Sequence, residues 1–167
     1  MKKQHIVILG VTGSIGDSTL KVVKAHPEQF EISGIANYNN IDKLSVIAKE
    51  FAVKRVVCAD PEKLAKLKDL LGPGVECDAG TEALLDLVTL PEVDTVVCAI
   101  VGTGGLLPVI AAIRAGKRIA LASKEVMVLA GDLIRRELSA HPQAQLIPVD
   151  SEHSAIFQCL HARNKEE

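Results

Sequence analysis

Short apolar runs alternate along the chain with longer segments in which apolar residues recur at helical spacing. The apolar runs predict β-strands over residues 5–9, 30–36, 55–58, 75–77, 93–99, 118–122 and 144–149. The amphipathic segments predict helices over residues 14–25, 41–51, 61–71, 81–88, 105–115, 125–139 and 154–160. Strands that alternate with helices at this spacing form right-handed βαβ units. We therefore expect an α/β fold, a doubly wound and mostly parallel Rossmann-type sheet with helices on both faces.

Composition supports a buried parallel sheet and narrows the classes of function. Hydrophobic residues make up 48% of the 167 residues and aromatic residues only 2%, so the core must consist of Val, Ile, Leu and Ala. That bias suits strands that are covered on both faces. The net charge of −2, without a basic patch, argues against nucleic acid as a partner. No apolar stretch approaches the length of a membrane span, so we expect no membrane partner.

The four cysteines indicate a reducing compartment. They are Cys58, Cys77, Cys98 and Cys159, and no pair has the C-x-x-C spacing of a zinc site or a redox pair. Cys58 and Cys98 close apolar runs, and Cys159 lies in an apolar helical segment. We expect reduced, mostly buried thiols and a cytoplasmic protein.

A glycine-rich turn follows the first predicted strand and opens the first predicted helix, which is the context of a dinucleotide-binding loop. Its glycines are spaced GxxGxxG rather than GxGxxG. Glycine lets the backbone turn tightly and approach a pyrophosphate, while the helix N-terminus offers N–H groups and a positive dipole end. Ser14 could alternatively act as a helix cap. We favour nucleotide binding, with the candidate residues Gly10, Thr12, Gly13, Ser14, Ile15 and Gly16.

The second predicted strand ends without a carboxylate, which bears on the choice of cofactor. An NAD site usually has Asp or Glu there to hold the ribose hydroxyls. Here the strand runs into residues 37–40, Asn-Tyr-Asn-Asn, a neutral loop that does not repel a 2′-phosphate. We therefore expect NADP rather than NAD, with Lys43 and Arg55 as candidate partners of that phosphate. The alternative reading of the asparagines is simple turn chemistry.

The last predicted strand ends in Asp150, Ser151 and Glu152. If the backbone stays extended there, the two carboxylates, spaced i and i+2, point to one side. Two hard oxygen donors at a strand end suit Mg²⁺ or Mn²⁺. The alternative is a helix start capped by Asp150 or Ser151, and the spacing alone favours that alternative.

Polar residues also follow two earlier strands, so three polar strand ends converge. Residues 93–99 run into a flexible loop at 100–105, and residues 118–122 run into Ser123, Lys124 and Glu125. In an open α/β sheet the ligand lies beyond the carboxyl ends of the strands. A lysine and paired carboxylates at the edge that carries the glycine loop therefore favour an active site over scattered surface residues.

Together these motifs resemble those of a known enzyme family. The glycine loop and residues 99–102, 122–125 and 148–158 are similar, in order and spacing, to 1-deoxy-D-xylulose 5-phosphate reductoisomerases. The similarity covers essentially the whole chain but only the N-terminal, NADPH-binding part of the family's protein. It implies NADPH and a divalent metal, Mg²⁺ or Mn²⁺, as cofactors. The implied reaction isomerises and reduces a small phosphorylated sugar, 1-deoxy-D-xylulose 5-phosphate, to 2-C-methyl-D-erythritol 4-phosphate for isoprenoid precursors.

The resemblance also implies a role for individual residues. By the family pattern, Asp150 and Glu152 are metal ligands, and Lys124, Ser151 and Glu152 act in catalysis. The implied cofactor contacts outside the glycine loop are Asn37, Tyr38, Asn39, Ala99, Ser123 and Glu125, the last lying near the nicotinamide. The chain departs from the pattern at Ser123, where the family usually has Asn. It departs again at Asn37 and Tyr38, where Gly and a small or basic residue are common, whereas Asn39 matches.

The same resemblance implies that this chain holds only part of an active site. Residues 1–149 correspond to the NADPH-binding domain, and residues 150–167 to the start of the metal-binding catalytic region. We expect the third metal-ligand Glu, the substrate-phosphate site, the lid and a helical domain to follow residue 167. The chain alone is then expected to bind NADPH without turnover, and the longer family protein to be a homodimer.

Two other readings stay open. One is another NADP-dependent two-domain reductase, such as a dihydrodipicolinate reductase or a semialdehyde dehydrogenase. The latter needs a nucleophilic cysteine near a strand end, for which Cys98 is the candidate, although its apolar surroundings are unfavourable. The other is a module that binds NADPH as a sensor and catalyses nothing.

Overall fold

The strands and helices follow the alternation that the sequence predicts. The structure is a computed structural model, and it describes residues 3–163. The strands are Gln4–Leu9 (β1), Phe30–Asn37 (β2), Arg55–Cys58 (β3), Glu76–Ala79 (β4), Thr95–Cys98 (β5), Arg118–Leu121 (β6) and Gln145–Pro148 (β7). The helices are Ser14–Ala25 (α1), Ile41–Glu50 (α2), Leu64–Leu71 (α3), Gly80–Thr89 (α4), Leu106–Arg114 (α5), Lys124–Ala140 (α6) and Ser151–Arg163 (α7). A 3₁₀ turn, Pro61–Lys63, precedes α3.

The strands form one sheet with the order β4-β3-β2-β1-β5-β6-β7. Every strand pair found in residues 3–163 is parallel. The order reverses between β1 and β5, because the chain builds outward from β1 to β4 and then returns to the other side of β1. Ligands of such sheets bind at this switch point, beyond the carboxyl ends of the strands. The predicted doubly wound α/β fold is confirmed.

Strand β1 supplies apolar side chains to two separate cores. Val7 and Leu9 pack beneath α4, α5 and α6, whereas Ile6 and Ile8 pack beneath α1, α2 and α3. All four side chains are buried. Because consecutive side chains alternate between the faces of a sheet, a strand covered on both sides needs apolar residues throughout. This explains the continuous apolar runs in the sequence.

Two of the differences between predicted and observed elements have an identifiable physical reason. The strand predicted over 93–99 begins only at Thr95. The carbonyl oxygens of Leu90 and Val93 accept bonds from Lys117 Nζ at 2.6 and 2.8 Å, so the Val93 carbonyl bonds a side chain rather than a neighbouring strand. The helix predicted over 125–139 is kinked at Ala130, where φ is −138°. The kink immediately precedes Gly131, a residue that disfavours helix.

Candidate functional site

In the turn between β1 and α1, two glycines lie very close to backbone carbonyl groups of other residues. Gly10 has a φ of 78°, and a Cβ there would lie 2.4 Å from the Ala99 carbonyl oxygen. A Cβ at Gly16 would lie 2.2 Å from the Val11 carbonyl oxygen. Packing within the protein therefore requires glycine at both positions. Gly13 differs, because it is exposed and the nearest atom to a Cβ would be the Gly10 carbonyl oxygen at 3.4 Å.

Helix α1 begins without a side-chain cap. Its N-cap is Gly13, which has extended backbone and no side chain to offer. Ser14 is the first helical residue, so the alternative in which Ser14 caps the helix is wrong. The first N–H groups of α1 and the positive end of its dipole are thus available at the carboxyl edge of the sheet. That arrangement suits an anionic pyrophosphate.

Lys43 fixes this loop from the neighbouring helix α2. Its Nζ donates to the Thr12 carbonyl oxygen at 2.9 Å and to the Asp17 carboxylate at 2.9 Å. Asp17 lies in the first turn of α1, where its charge would repel a phosphate, and the ion pair with Lys43 offsets that charge. The sequence suggested Lys43 as a partner of the 2′-phosphate. The structure places it at the glycine loop instead, and no local pattern signals this contact.

The loop after β2 combines turn chemistry with an open surface. Asn40 is the N-cap of α2, and its side chain accepts a bond from Lys43 N at 3.0 Å. The turn alternative is therefore confirmed for Asn40. Asn37 ends β2, and Tyr38 and Asn39 are exposed, Tyr38 by 62%.

Arg55 and Lys63 lie in different positions relative to the loop after β2. Arg55 begins β3, at the end of the strand remote from the loop, and is paired with Glu76 and Glu92. The suggestion that Arg55 meets a 2′-phosphate is therefore wrong. Lys63, which sequence reasoning missed, donates through Nζ to the Asn39 carbonyl oxygen at 3.1 Å and to Asn39 Oδ1 at 2.7 Å.

A cleft of about 610 Å³ lies over the glycine loop at the switch point of the sheet. It brings together the predicted residues Gly10, Thr12, Gly13, Asn37, Tyr38 and Ala99. Its other lining residues are Ala36, Ala59, Thr81, Leu84, Ile100, Val101 and Gly104. These were missed because small and apolar residues at strand and helix ends carry no chemical signal. Ser14, Ile15, Gly16 and Asn39 do not line the cleft.

A second cleft, of about 530 Å³, lies between α6, β7 and α7. Lys124, Ser123 and Asp150 line it, together with the mostly apolar residues Leu121, Met127, Val128, Leu146, Pro148, His153, Ile156, Phe157 and Leu160. Glu125 lines neither of these two clefts, and Ser151 and Glu152 lie on the adjoining first turn of α7. Of the predicted site residues that line a cleft, six line the first cleft, and Ser123, Lys124 and Asp150 line the second.

Ser123 connects the loop after β5 to the start of α6. It is 5% exposed, and its hydroxyl donates to the Gly102 carbonyl oxygen at 2.8 Å. The same hydroxyl lies 3.2 Å from Glu125 Oε2. The Ser123 side chain therefore ties the loop at residues 100–105 to the start of α6. Its hydroxyl makes this loop contact, and Ser123 also lines the second cleft.

The candidate nucleophile Cys98 is closed off. Its thiol is buried, and this burial raises the pKa of Cys98 to about 11. A Cβ at Gly105 would come within 2.7 Å of Cys98 Sγ, so the loop lies directly over the sulfur. A thiol with that pKa is protonated near neutral pH and unreactive. This geometry argues against a dehydrogenase that works through a thioester at Cys98.

Helix α7 begins at Ser151 rather than at residue 154, and this changes the geometry of the two carboxylates. Asp150 Oδ1 accepts a bond from His153 N at 3.1 Å, and the Asp150 carbonyl oxygen accepts one from Ser154 N at 2.9 Å. The capping alternative is confirmed for Asp150. The extended backbone through Glu152 that the metal-site alternative required is absent, because Glu152 lies in the first turn of α7. Side chains spaced i and i+2 on a helix do not face each other.

Both carboxylates are held in their charged form. The bond from His153 N, supported by His153 Nδ1 at 2.7 Å, lowers the pKa of Asp150. The Ser151 hydroxyl donates to Glu152 at 2.9 Å and lowers the pKa of Glu152, and nearby Lys124 lowers it further. Within residues 3–163, no group of three or more His, Cys, Asp or Glu could hold a metal ion. The two carboxylates have the right donor atoms for Mg²⁺ but do not by themselves complete a site.

Comparison with known sequences decides the family. Residues 6–131 match the family described as 1-deoxy-D-xylulose 5-phosphate reductoisomerase. The chain belongs to the 1-deoxy-D-xylulose 5-phosphate reductoisomerase family. It is 48% identical over 159 residues to the reductoisomerase of Shewanella amazonensis, a match that covers 94% of this chain and 40% of that protein. The chain thus spans about 40% of the length of such curated relatives.

Solved reductoisomerase structures share the fold. A reductoisomerase in complex with magnesium matches with a TM-score of 0.91 at 42% identity, over 95% of this chain and 40% of that one. The Zymomonas mobilis reductoisomerase in complex with NADPH matches with a TM-score of 0.89 at 40% identity, over 95% and 41% of the two chains. The resemblance drawn from the sequence motifs is confirmed.

Among residues 3–163, no helix combines the length and the apolar composition that crossing a membrane requires.

Proposed function

We propose that this chain is the NADPH-binding part of a reductoisomerase that converts 1-deoxy-D-xylulose 5-phosphate to 2-C-methyl-D-erythritol 4-phosphate. The observation that carries the proposal is the cleft over residues 10–16, where close-packed glycines, the uncapped start of α1 and a neutral loop after β2 meet. Family membership supports the reaction. The magnesium and NADPH complexes of related reductoisomerases support the cofactors.

Different residues of the first cleft would bind different parts of the dinucleotide. The start of α1 would bind the pyrophosphate, and Asn37 and Tyr38 would flank the adenosine ribose. Ala99 and Ile100 would border the far end of the cleft, on the side of β5. Lys43 keeps the phosphate loop in place through its bond to the Thr12 carbonyl oxygen. NADPH would supply the hydride that reduces the rearranged sugar.

The second cleft is the proposed side for substrate and metal. Lys124, Ser151 and Glu152 would contact the substrate, and Asp150 and Glu152 would contribute oxygen ligands to Mg²⁺ or Mn²⁺. Lys124 and Asp150 line that cleft, which supports this assignment. Two carboxylates leave the ligand set incomplete, and we propose that the rest comes from the additional length that the relatives have.

The proposal includes a domain division, a location and an assembly. The division falls between residues 149 and 150, which lie between the end of β7 and the start of α7. A cytoplasmic location is supported by the free thiols of Cys58, Cys77, Cys98 and Cys159. A homodimer of the longer protein rests on the family resemblance alone.

Calorimetric titration with NADPH and NADH tests the cofactor role. We expect the chain to bind NADPH more tightly, because residues 37–40 carry no charge that repels a 2′-phosphate. Asn37→Asp should reverse the preference, since a carboxylate at the end of β2 repels that phosphate and accepts bonds from ribose hydroxyls. Asn40→Asp is the matched control, because it adds the same charge at a capping position where Asp is equally suitable. Tighter binding of NADH by the unmodified chain would contradict the proposal.

A further inference from the structure

The neutral loop after β2 receives a cation from another element. Lys63 ends the 3₁₀ turn after β3, and its Nζ donates to Asn39 Oδ1 at 2.7 Å and to the Asn39 carbonyl oxygen at 3.1 Å. Asn39 lies just beyond β2, where dinucleotide-binding folds meet the adenosine ribose. Building on the proposed NADPH-binding function, we propose that Lys63 is the specificity-determining residue that binds the 2′-phosphate and selects NADPH over NADH.

The position of Lys63 suits a phosphate partner. Its side chain is 33% exposed, so the ammonium is held by Asn39 and still reachable from solvent. An ammonium has three donors on a flexible stem, so it can bond a phosphate oxygen and keep a bond to the Asn39 backbone. Asn39 Oδ1 already accepts from Lys63, and the remaining amide hydrogens of that side chain are donors, which also suit an anion.

Lys63 also screens a carboxylate at the same place. Asp60 Oδ2 lies 3.7 Å from Lys63 Nζ, while Asp60 Oδ1 accepts a bond from Glu62 N at 3.1 Å. Without the lysine, the Asp60 carboxylate would repel a 2′-phosphate. Loss of the Lys63 charge should therefore act on the 2′-phosphate and not on the rest of the cofactor.

Two neighbouring lysines on α2 and α3 are engaged elsewhere. Lys43 binds the glycine loop and Asp17, and Lys66 is paired with Asp42 at 3.2 Å. Lys63 is thus the cation that the fold brings to Asn39.

Paired titrations with 2′,5′-ADP and 5′-AMP isolate the contribution of the 2′-phosphate to binding. In the 167-residue chain, Lys63→Gln should weaken 2′,5′-ADP and NADPH roughly tenfold, the scale of one charge-assisted hydrogen bond. Binding of 5′-AMP and NADH should change less than about twofold, well below that scale. Lys63→Arg should keep most of the preference. The control Lys24→Gln, which removes an exposed pair with Glu50, should leave all four ligands unaffected.

Three other results would contradict the proposal that Lys63 binds the 2′-phosphate of NADPH. An equal loss for 2′,5′-ADP and 5′-AMP would show that Lys63 only orders the loop through Asn39. Unchanged binding of all ligands in Lys63→Gln would show that another group holds the phosphate. If the unmodified chain bound neither NADPH nor NADH, the proposed cofactor role itself would fall, a result that is separate from the ratio between variants.

Discussion

At the scale of single residues, the glycines of the first loop serve different purposes. Gly10 and Gly16 are required by contacts inside the protein, since a Cβ at either would overlap a backbone carbonyl group. Gly13 is exposed and has extended backbone, with φ −86° and ψ 178°, which any residue can adopt. Substitutions at Gly13 therefore probe the ligand rather than the fold.

We expect Gly13→Asp to lose NADPH binding while the protein stays folded. Asp is a favourable N-cap and should stabilise α1, yet its carboxylate would occupy the anion position and repel the pyrophosphate. Gly13→Ser is the matched control, because Ser caps the helix without a charge and should retain measurable binding. Calorimetric titration and thermal unfolding of both variants check this. Undiminished NADPH affinity in Gly13→Asp would contradict a pyrophosphate at this helix end.

At the scale of elements, the start of α7 combines a helix cap with a proposed metal ligand. The Asp150 carboxylate bonds His153 N, and the same carboxylate is the first ligand that the family pattern implies. The two roles require different properties of the side chain. A cap needs an acceptor oxygen, which Asn also provides, whereas a ligand to a divalent cation benefits from the negative charge.

Two substitutions at Asp150 separate these roles. In this chain, Asp150→Ala should lower the free energy of unfolding by about 1 kcal/mol, and Asp150→Asn should cost much less. Denaturant unfolding measures both, and NADPH affinity should not change, because the pyrophosphate site lies at residues 10–16. In a reductoisomerase of full family length that carries this segment, both variants should lose turnover strongly. Normal turnover of Asp150→Asn there would show that the carboxylate acts only as a cap.

At the scale of the whole molecule, the sheet carries both clefts at one edge but on different strands. The glycine loop and the loop after β2 surround the first cleft, and β6, β7 and α7 surround the second. The chain spans about 40% of its curated relatives, and two carboxylates do not complete a metal site. This chain should therefore bind the cofactor without turning over the substrate.

We expect no NADPH oxidation when this chain is mixed with 1-deoxy-D-xylulose 5-phosphate and Mn²⁺. The chain should nevertheless bind NADPH, since the dinucleotide cleft is formed within residues 10–104. Absorbance of NADPH at saturating substrate measures the first quantity, and titration the second. A protein of full family length is the positive control. Steady oxidation by the chain alone would mean that its active site is complete and lies elsewhere than proposed.

The element pattern and part of the site could be predicted from the sequence. Strand β3 was predicted at its observed bounds, Arg55–Cys58, and the glycine loop was predicted in its correct context between β1 and α1. Six of the predicted cofactor residues line the first cleft. The strand-end geometry failed at Glu152, because an apolar run that ends in Asp-Ser-Glu can also precede a helix start. The spacing alone favoured that alternative, and the cap formed by Asp150 decides for helix.

The sequence by itself determined the alternation of strands and helices, the doubly buried sheet and the glycine turn, because periodicity and turn chemistry are local properties. Only the tertiary structure decided which distant groups meet at the carboxyl edge. Lys43 with Thr12, Lys63 with Asn39 and Ser123 with Gly102 are 31, 24 and 21 positions apart. Their contacts depend on strand order and loop path, and these follow from packing of the whole sheet rather than from spacing along the chain.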